Sequence, residues 1–120
     1  MKIAVSVSGG DLDAQVDPRF GRASGFLLID PETMDYEVVE NKQNVNAPQG
    51  AGIQAAATIA RAGASVLLTG HCGPKAFQTL QAAGVKVIVG VEGSVRDALE
   101  AFRVGRLQTA GGPDVEGHWS

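Results

Sequence analysis

Three glycines, Gly63, Gly84 and Gly105, recur at equal spacing, each closing a segment with helical apolar periodicity. Glycine adopts the left-handed backbone that ends a helix without a Cβ penalty. The runs Val66-Leu67-Leu68-Thr69 and Val85 to Val91 lie between those stops and are rich in strand-forming residues. The pattern predicts successive strand–helix units rather than a solenoid. Gly50 to Ala62 is alanine-rich and predicts a helix with Ile53, Ala56, Ala57 and Ala60 on its packing face. Pro74 suits the first turn of a second helix that buries Phe77 and Leu80. Ser94-Val95-Arg96-Asp97 is a capping-box variant with Asp97 in the usual Glu position. It opens a third helix facing Val95, Ala98, Leu99 and Phe102 inward.

The N-terminal half reads differently. Lys2 to Val7 is a strand ending at Ser8-Gly9-Gly10, and a long loop runs from Asp11 to about Gly25. Phe26 to Asp30 is a buried strand, Pro31 to Met34 a turn, and Tyr36 to Glu40 an edge strand, so the two strands form a hairpin. Asn41 to Pro48 is a second polar loop. Residues 1–105 are expected to form one α/β domain, with residues 106–120, including His118 and Trp119, as a loose tail. Right-handed crossovers place the C-terminal ends of strands one and four side by side, where open sheets bind ligands.

Composition narrows the function classes. At 120 residues with a formal net charge of −3, the chain lacks the broad basic face of a nucleic-acid binder. One cysteine, Cys72, makes no internal disulfide, and no apolar run is long enough to span a membrane. A cytoplasmic location is expected.

Several short patterns fail on inspection. Gly50-Ala51-Gly52-Ile53-Gln54-Ala55 fits a dinucleotide fingerprint, but a polar loop precedes it and the next strand ends in Thr69-Gly70 rather than in an acid. Ser8-Gly9-Gly10-Asp11 resembles a pyrophosphate-binding turn but has Leu12 where an acid belongs. Gly70 to Lys75 is too short for a Walker loop. Asp11, Asp13 and Asp17 miss the calcium-loop glycine and glutamate, having Val16 and Arg22 there. The first strand offers no carboxylate for two-metal nuclease chemistry.

Two segments carry chemistry. Thr69-Gly70-His71-Cys72-Gly73-Pro74-Lys75 lies at a strand-to-helix turn, where free N–H groups and the helix dipole favour an anion. The same field favours a thiolate at Cys72. Asp17-Pro18-Arg19-Phe20-Gly21-Arg22 puts two arginines in a long loop beside the ligand edge, which suits anion recognition. The bland alternatives are a buried filler at Cys72 and arginines that neutralise the loop aspartates. An enzyme with Cys72 as nucleophile or redox thiol, and a protein-interaction domain, are further readings.

Phe20-Gly21-Arg22-Ala23 with Phe26, Gly50-Ala51-Gly52-Ile53, and Gly70 to Phe77 with Leu80 and Gly84 resemble the dinitrogenase iron–molybdenum cofactor biosynthesis family. The likeness runs from about Lys2 to Gly105. It implies a three-layer ribonuclease-H-like α/β fold without nuclease residues: a mixed five-stranded sheet, order 3-2-1-4-5, strand 2 antiparallel, with three helices. It also implies a non-catalytic carrier or insertion accessory for an anionic molybdenum- or iron-containing sulfide cluster, a mixed molybdenum–copper sulfide cluster among the options. Its partners would be cofactor donor and acceptor proteins, and the chain a monomer or weak homo-oligomer. The expected cluster-binding residues are Gly9, Gly10, Arg19, Phe20, Gly21, Arg22, Gly50, Gly52, Gly70, Gly73, Pro74 and Lys75, with His71 and Cys72 as metal ligands. A thiomolybdate-type cluster is a soft, multiply charged anion, and amides approached through glycines, arginines and an apolar wall would hold it.

Overall fold

A computed structural model of the chain describes residues 1–45 and 50–112. The C-terminal half follows the strand–helix rhythm: β4 (Val66–Leu68), α3 (Pro74–Ala82), β5 (Lys86–Ile88) and α4 (Val95–Arg103). The N-terminal half holds β1 (Ile3–Val7), β2 (Gly25–Ile29), β3 (Tyr36–Glu40), α1 (Lys42–Val45) and α2 (Ala51–Arg61). The five strands form one sheet in the order β3-β2-β1-β4-β5, with β2 antiparallel to both neighbours and β1, β4 and β5 parallel. Gly63, Gly84 and Gly105 each take a positive φ one residue beyond a helix cap, as their spacing predicts. Pro74 occupies the first turn of α3, and Ser94 Oγ accepts the Asp97 N–H at 3.1 Å to cap α4.

The sheet separates two cores. Ala4, Phe26, Leu28, Leu67 and Val87 face α2 and α3, where Ala55, Ala56, Ile59, Phe77 and Leu80 pack. Val5, Val7, Leu27, Leu68 and Ile88 face α4 and the Leu12–Val16 stretch. Alternation along each strand sends successive side chains to opposite layers, so central strands buried on both faces read as continuous apolar runs.

Four differences from the sequence reading have local causes. α1 is a fourth helix, and its four residues are too few to show a periodicity. The packing face of α2 is Ala55, Ala56 and Ile59, while Ile53 is 40% exposed. Alanines on every side of this helix leave its phase undetermined by sequence. β5 ends at Ile88 because Gly90 takes a left-handed φ of 75° and turns the chain toward β4: Gly90 N–H donates to Gly70 O at 2.8 Å. Among the described residues beyond 105, Leu107 and Ala110 touch the domain. Leu107 packs against the α4-side core, and Ala110 N–H donates to Val87 O at 2.7 Å on the outer edge of β5. The end of the polar loop at Pro48 and the His118-Trp119 segment lie outside the described residues.

Candidate functional site

The long loop between β1 and β2 builds one pole of the molecule. Its first half stays on the α4 face: Val16 N–H donates to Gly93 O, Val95 N–H to Ala14 O and Arg96 N–H to Leu12 O, each at 2.9 Å. At Asp17 it crosses the C-terminal ends of β1 and β4. Asp17 N–H donates to Ser6 O at 2.8 Å, and Ser6 Oγ donates back to Asp17 O at 2.8 Å. The Ser6 hydroxyl has one proton, so the 2.8 Å contact with Thr69 Oγ1 makes Thr69 the donor to Ser6. Asp17 Oδ1 accepts the Arg19 N–H at 2.9 Å, turning the chain outward.

The crossing requires glycine at position 70. A Cβ there would lie 2.6 Å from Pro18 Cα and 2.8 Å from Pro18 O. Arg19 then pairs with His71 in an isolated parallel bridge, and Phe20 N–H donates to His71 O at 3.3 Å. The two chemistry-bearing segments are thus joined through their backbones. The Phe20 ring drops into the α2/α3 core against Phe26, with centroids 5.3 Å apart. Asn41 secures the next residues: its Nδ2 donates to Gly21 O at 3.0 Å and Ala23 O at 2.9 Å. Asn44 Nδ2 donates to Asn41 Oδ1 at 2.7 Å and fixes that orientation. Arg22 Nη1 reaches Val45 O at 3.5 Å.

Helices α2 and α3 both begin at this pole, packed side by side. Both carry glycine at the N-cap, Gly50 and Gly73, and neither has a side-chain cap hydrogen bond. Gly50 and Gly73 offer no side-chain acceptor of their own to the first-turn amides, which begin beside the arginine loop and exposed Lys75. Among the described residues, no three His, Cys, Asp or Glu side chains converge to hold a metal ion. The donors gathered here are amides, guanidinium groups and an ammonium group, a set suited to an anion.

The structure divides the sequence-predicted residues. It brings Arg19, Gly21, Arg22, Gly50, Gly70, His71, Gly73, Pro74 and Lys75 to one pole. Arg19, Gly50 and Lys75 are exposed there, and Arg22, His71 and Pro74 are half-buried. Phe20 is fully buried, so it supports the loop from beneath rather than walling it. Gly52 is buried in the first turn of α2. Cys72 is fully buried within the α2/α3 core, its Sγ donating to Gly73 O at 3.7 Å. Its sulfur lies under the turn, and direct ligation would require the turn to open. Gly9 and Gly10 lie on the α4 side, approaching Ala14 and Val38 respectively. Asn41, Ser6 and Thr69 escaped sequence reasoning. An asparagine directly before a helical turn is a capping signal, and it was the clue available for Asn41.

Volume does not pick out this pole. An apolar cavity of about 810 Å³ opens at the opposite end, between Pro31 and Met34 of the β2–β3 turn and Leu99 and Phe102 of α4. A perturbed carboxylate is also on α4: the hydrogen bond from Arg103, then the Arg103 charge, hold the Glu100 carboxyl below its ordinary range. No described helix is long and apolar enough to cross a membrane.

A family model described as dinitrogenase iron-molybdenum cofactor matches residues 1–105. The apo form of the orange protein from Desulfovibrio gigas superimposes with a TM-score of 0.92 at 50% identity, covering 95% of this chain and 96% of that one. A NifB-like protein from Thermotoga gives a TM-score of 0.82 at 36% identity, covering 97% and 98%. The uncharacterized protein MJ0580 of Methanocaldococcus jannaschii is 28% identical over 111 residues, 90% of each chain.

Proposed function

The chain belongs to the dinitrogenase iron-molybdenum cofactor family, and from that premise we propose that it carries an anionic metal–sulfide cluster as cargo. The observation that carries this reading is the pairing of two glycine-capped helix N-termini with an arginine loop bridged to the β4–α3 turn at Arg19 and His71. Arg19, Arg22 and Lys75 supply charge. The first-turn amides of α2 and α3 supply directional donors, and His71 flanks them. Sulfide on a cluster surface accepts such hydrogen bonds without covalent ligands. Cys72 stays in the core and packs beneath the cargo. The protein acts as a cytoplasmic carrier or insertion accessory that receives its cluster from a donor protein and yields it to an acceptor, with no chemical step of its own. Molybdenum is the metal proposed, with copper or iron as its companion.

Anaerobic incubation with tetrathiomolybdate, alone or with Cu(I) or Fe(II), tests this after desalting by metal and sulfide analysis. The wild-type chain should retain molybdenum with a sulfide charge-transfer band. Arg22→Ala should weaken retention by about tenfold or more, the scale of a lost charge-assisted hydrogen bond. Cys72→Ala should keep the cluster. Retention by no combination would overturn the reading, and loss confined to Cys72→Ala would replace the cradle by direct ligation.

A further inference from the structure

The two edges of the sheet differ in how they are finished. The outer edge of β5 is met by Ala110, whose N–H takes up Val87 O. β3 is the other edge, and among the described residues no strand pairs with its outer side. Edge strands are usually blunted by charged side chains, lysine above all, by proline or by a covering segment. Tyr36-Glu37-Val38-Val39-Glu40 has no proline or lysine, and both of its charges are acidic, which guards it against a second acidic edge but not against a basic strand.

The register shows which backbone groups face outward. Asp30 N–H donates to Asp35 O at 2.9 Å, and Asn41 N–H donates to Ser24 O at 3.0 Å. Hydrogen-bonded and non-hydrogen-bonded pairs alternate along an antiparallel ladder. Between those two bonded pairs, Glu37 and Val39 bond to β2, while Tyr36, Val38 and Glu40 direct their N–H and C=O groups away from it. Tyr36 and Val38 also expose apolar side chains, 42% and 52% accessible, on the face they share with Leu27 and Ile29.

Charge selects the partner. Glu32, Asp35, Glu37 and Glu40 are all exposed on this hairpin. Of the nearby cations, Lys42 is 3.6 Å from Glu40 in an exposed ion pair of little energetic weight, and Lys2 lines a surface pocket with Asp30, Asp35 and Glu37, which leaves the hairpin net acidic. A second copy would bring the same acidic edge against itself, on protomers that each carry a net charge of −3. A basic extended segment would instead meet opposite charge on both faces and apolar contact at Tyr36 and Val38.

We propose that β3 is a strand-addition site for a lysine- or arginine-bearing extended segment of a partner protein. The added strand bonds to the N–H and C=O groups of Tyr36, Val38 and Glu40. It ends beside Asn41, the residue that holds the Gly21 and Ala23 carbonyls. The partner therefore docks next to the arginine loop without covering the α2 and α3 N-termini. This inference stands apart from the cargo reading, because it needs no cluster.

A synthetic peptide of about eight residues, lysine alternating with valine and threonine, is the probe, read by amide hydrogen exchange of the full chain. The peptide should slow exchange at Tyr36, Val38 and Glu40 and leave Glu37 and Val39 unchanged, since these already bond to β2. Val38→Pro removes an outward N–H and should abolish the protection while circular dichroism stays that of the wild type. Glu37→Lys with Glu40→Lys, both exposed, should raise the peptide Kd about fivefold or more at low salt, and they carry the test if Val38→Pro does not fold. A glutamate-for-lysine peptide should not bind. Protection elsewhere on the molecule, or binding indifferent to all three substitutions, would overturn the proposal. So would a wild-type chain that sediments as a dimer with those amides already protected, which would assign the edge to a second copy.

Discussion

The two halves of the β1–β2 loop differ in how far side chains hold them. Residues 8–16 are fastened to the β5–α4 turn largely by backbone bonds: Val16 to Gly93, Val95 to Ala14 and Arg96 to Leu12. Residues 17–24 also make backbone bonds, at Asp17, Phe20 and Ser24, but add side-chain anchors: the Ser6 hydroxyl, the Asp17 carboxylate, the Phe20 ring and the Asn41 amide. Backbone bonds are indifferent to most substitutions, so the first half is a scaffold for the start of α4. Side-chain anchors fix one geometry and lose it when a residue changes. The side-chain-held half is the one that carries Arg19 and Arg22.

That contrast can be broken in order of expected effect. Phe20→Ala empties a fully buried site against Phe26 and should cost about 3–5 kcal/mol by denaturant unfolding. Gly70→Ala forces a methyl group against Pro18 and should cost about 1–3 kcal/mol, with loosened amide exchange at Arg19 and Phe20. Asn41→Ala leaves the Gly21 and Ala23 carbonyls without their donor. The expected cost is about 1–3 kcal/mol together with weaker tetrathiomolybdate retention, a joint loss that marks a positioning residue. Asp13→Ala, in the first half, breaks only an exposed pair with Arg96 at 3.1 Å and should change stability by less than about 1 kcal/mol. If Asp13→Ala proved as damaging as Asn41→Ala, the distinction between the halves would fall.

Much of the fold was legible because its signals are local. The helix-stop glycines, Pro74 and the Ser94 cap all act within a few residues of chain, and each stands where the sequence put it, whereas the strand order 3-2-1-4-5 came from the family resemblance and is the order observed. The α2 face was not legible, since a helix of alanines has no preferred side until a sheet packs on it. At the site, motif spacing singled out Arg19, Arg22 and the Gly70–Lys75 turn, and the fold gathers these. It gave no warning that Gly9 and Gly10 belong to the other layer, because a glycine pair at a strand end looks the same whichever way the loop departs. Asn41 was hidden because its partners lie about twenty residues away along the chain.

The sequence by itself determined the order of elements, the helix stops and starts, and the chemistry available to an anion: arginines, a lysine and glycine-capped helices. Those follow from short-range sterics and capping, which each segment expresses alone. Only the tertiary structure decided that the loop crosses at Pro18 over Gly70, that Cys72 is buried in the core, and that β3 is an acidic edge with no strand on its outer side among the described residues. These depend on which surfaces compete for burial once the sheet has closed, a competition among residues far apart in the chain.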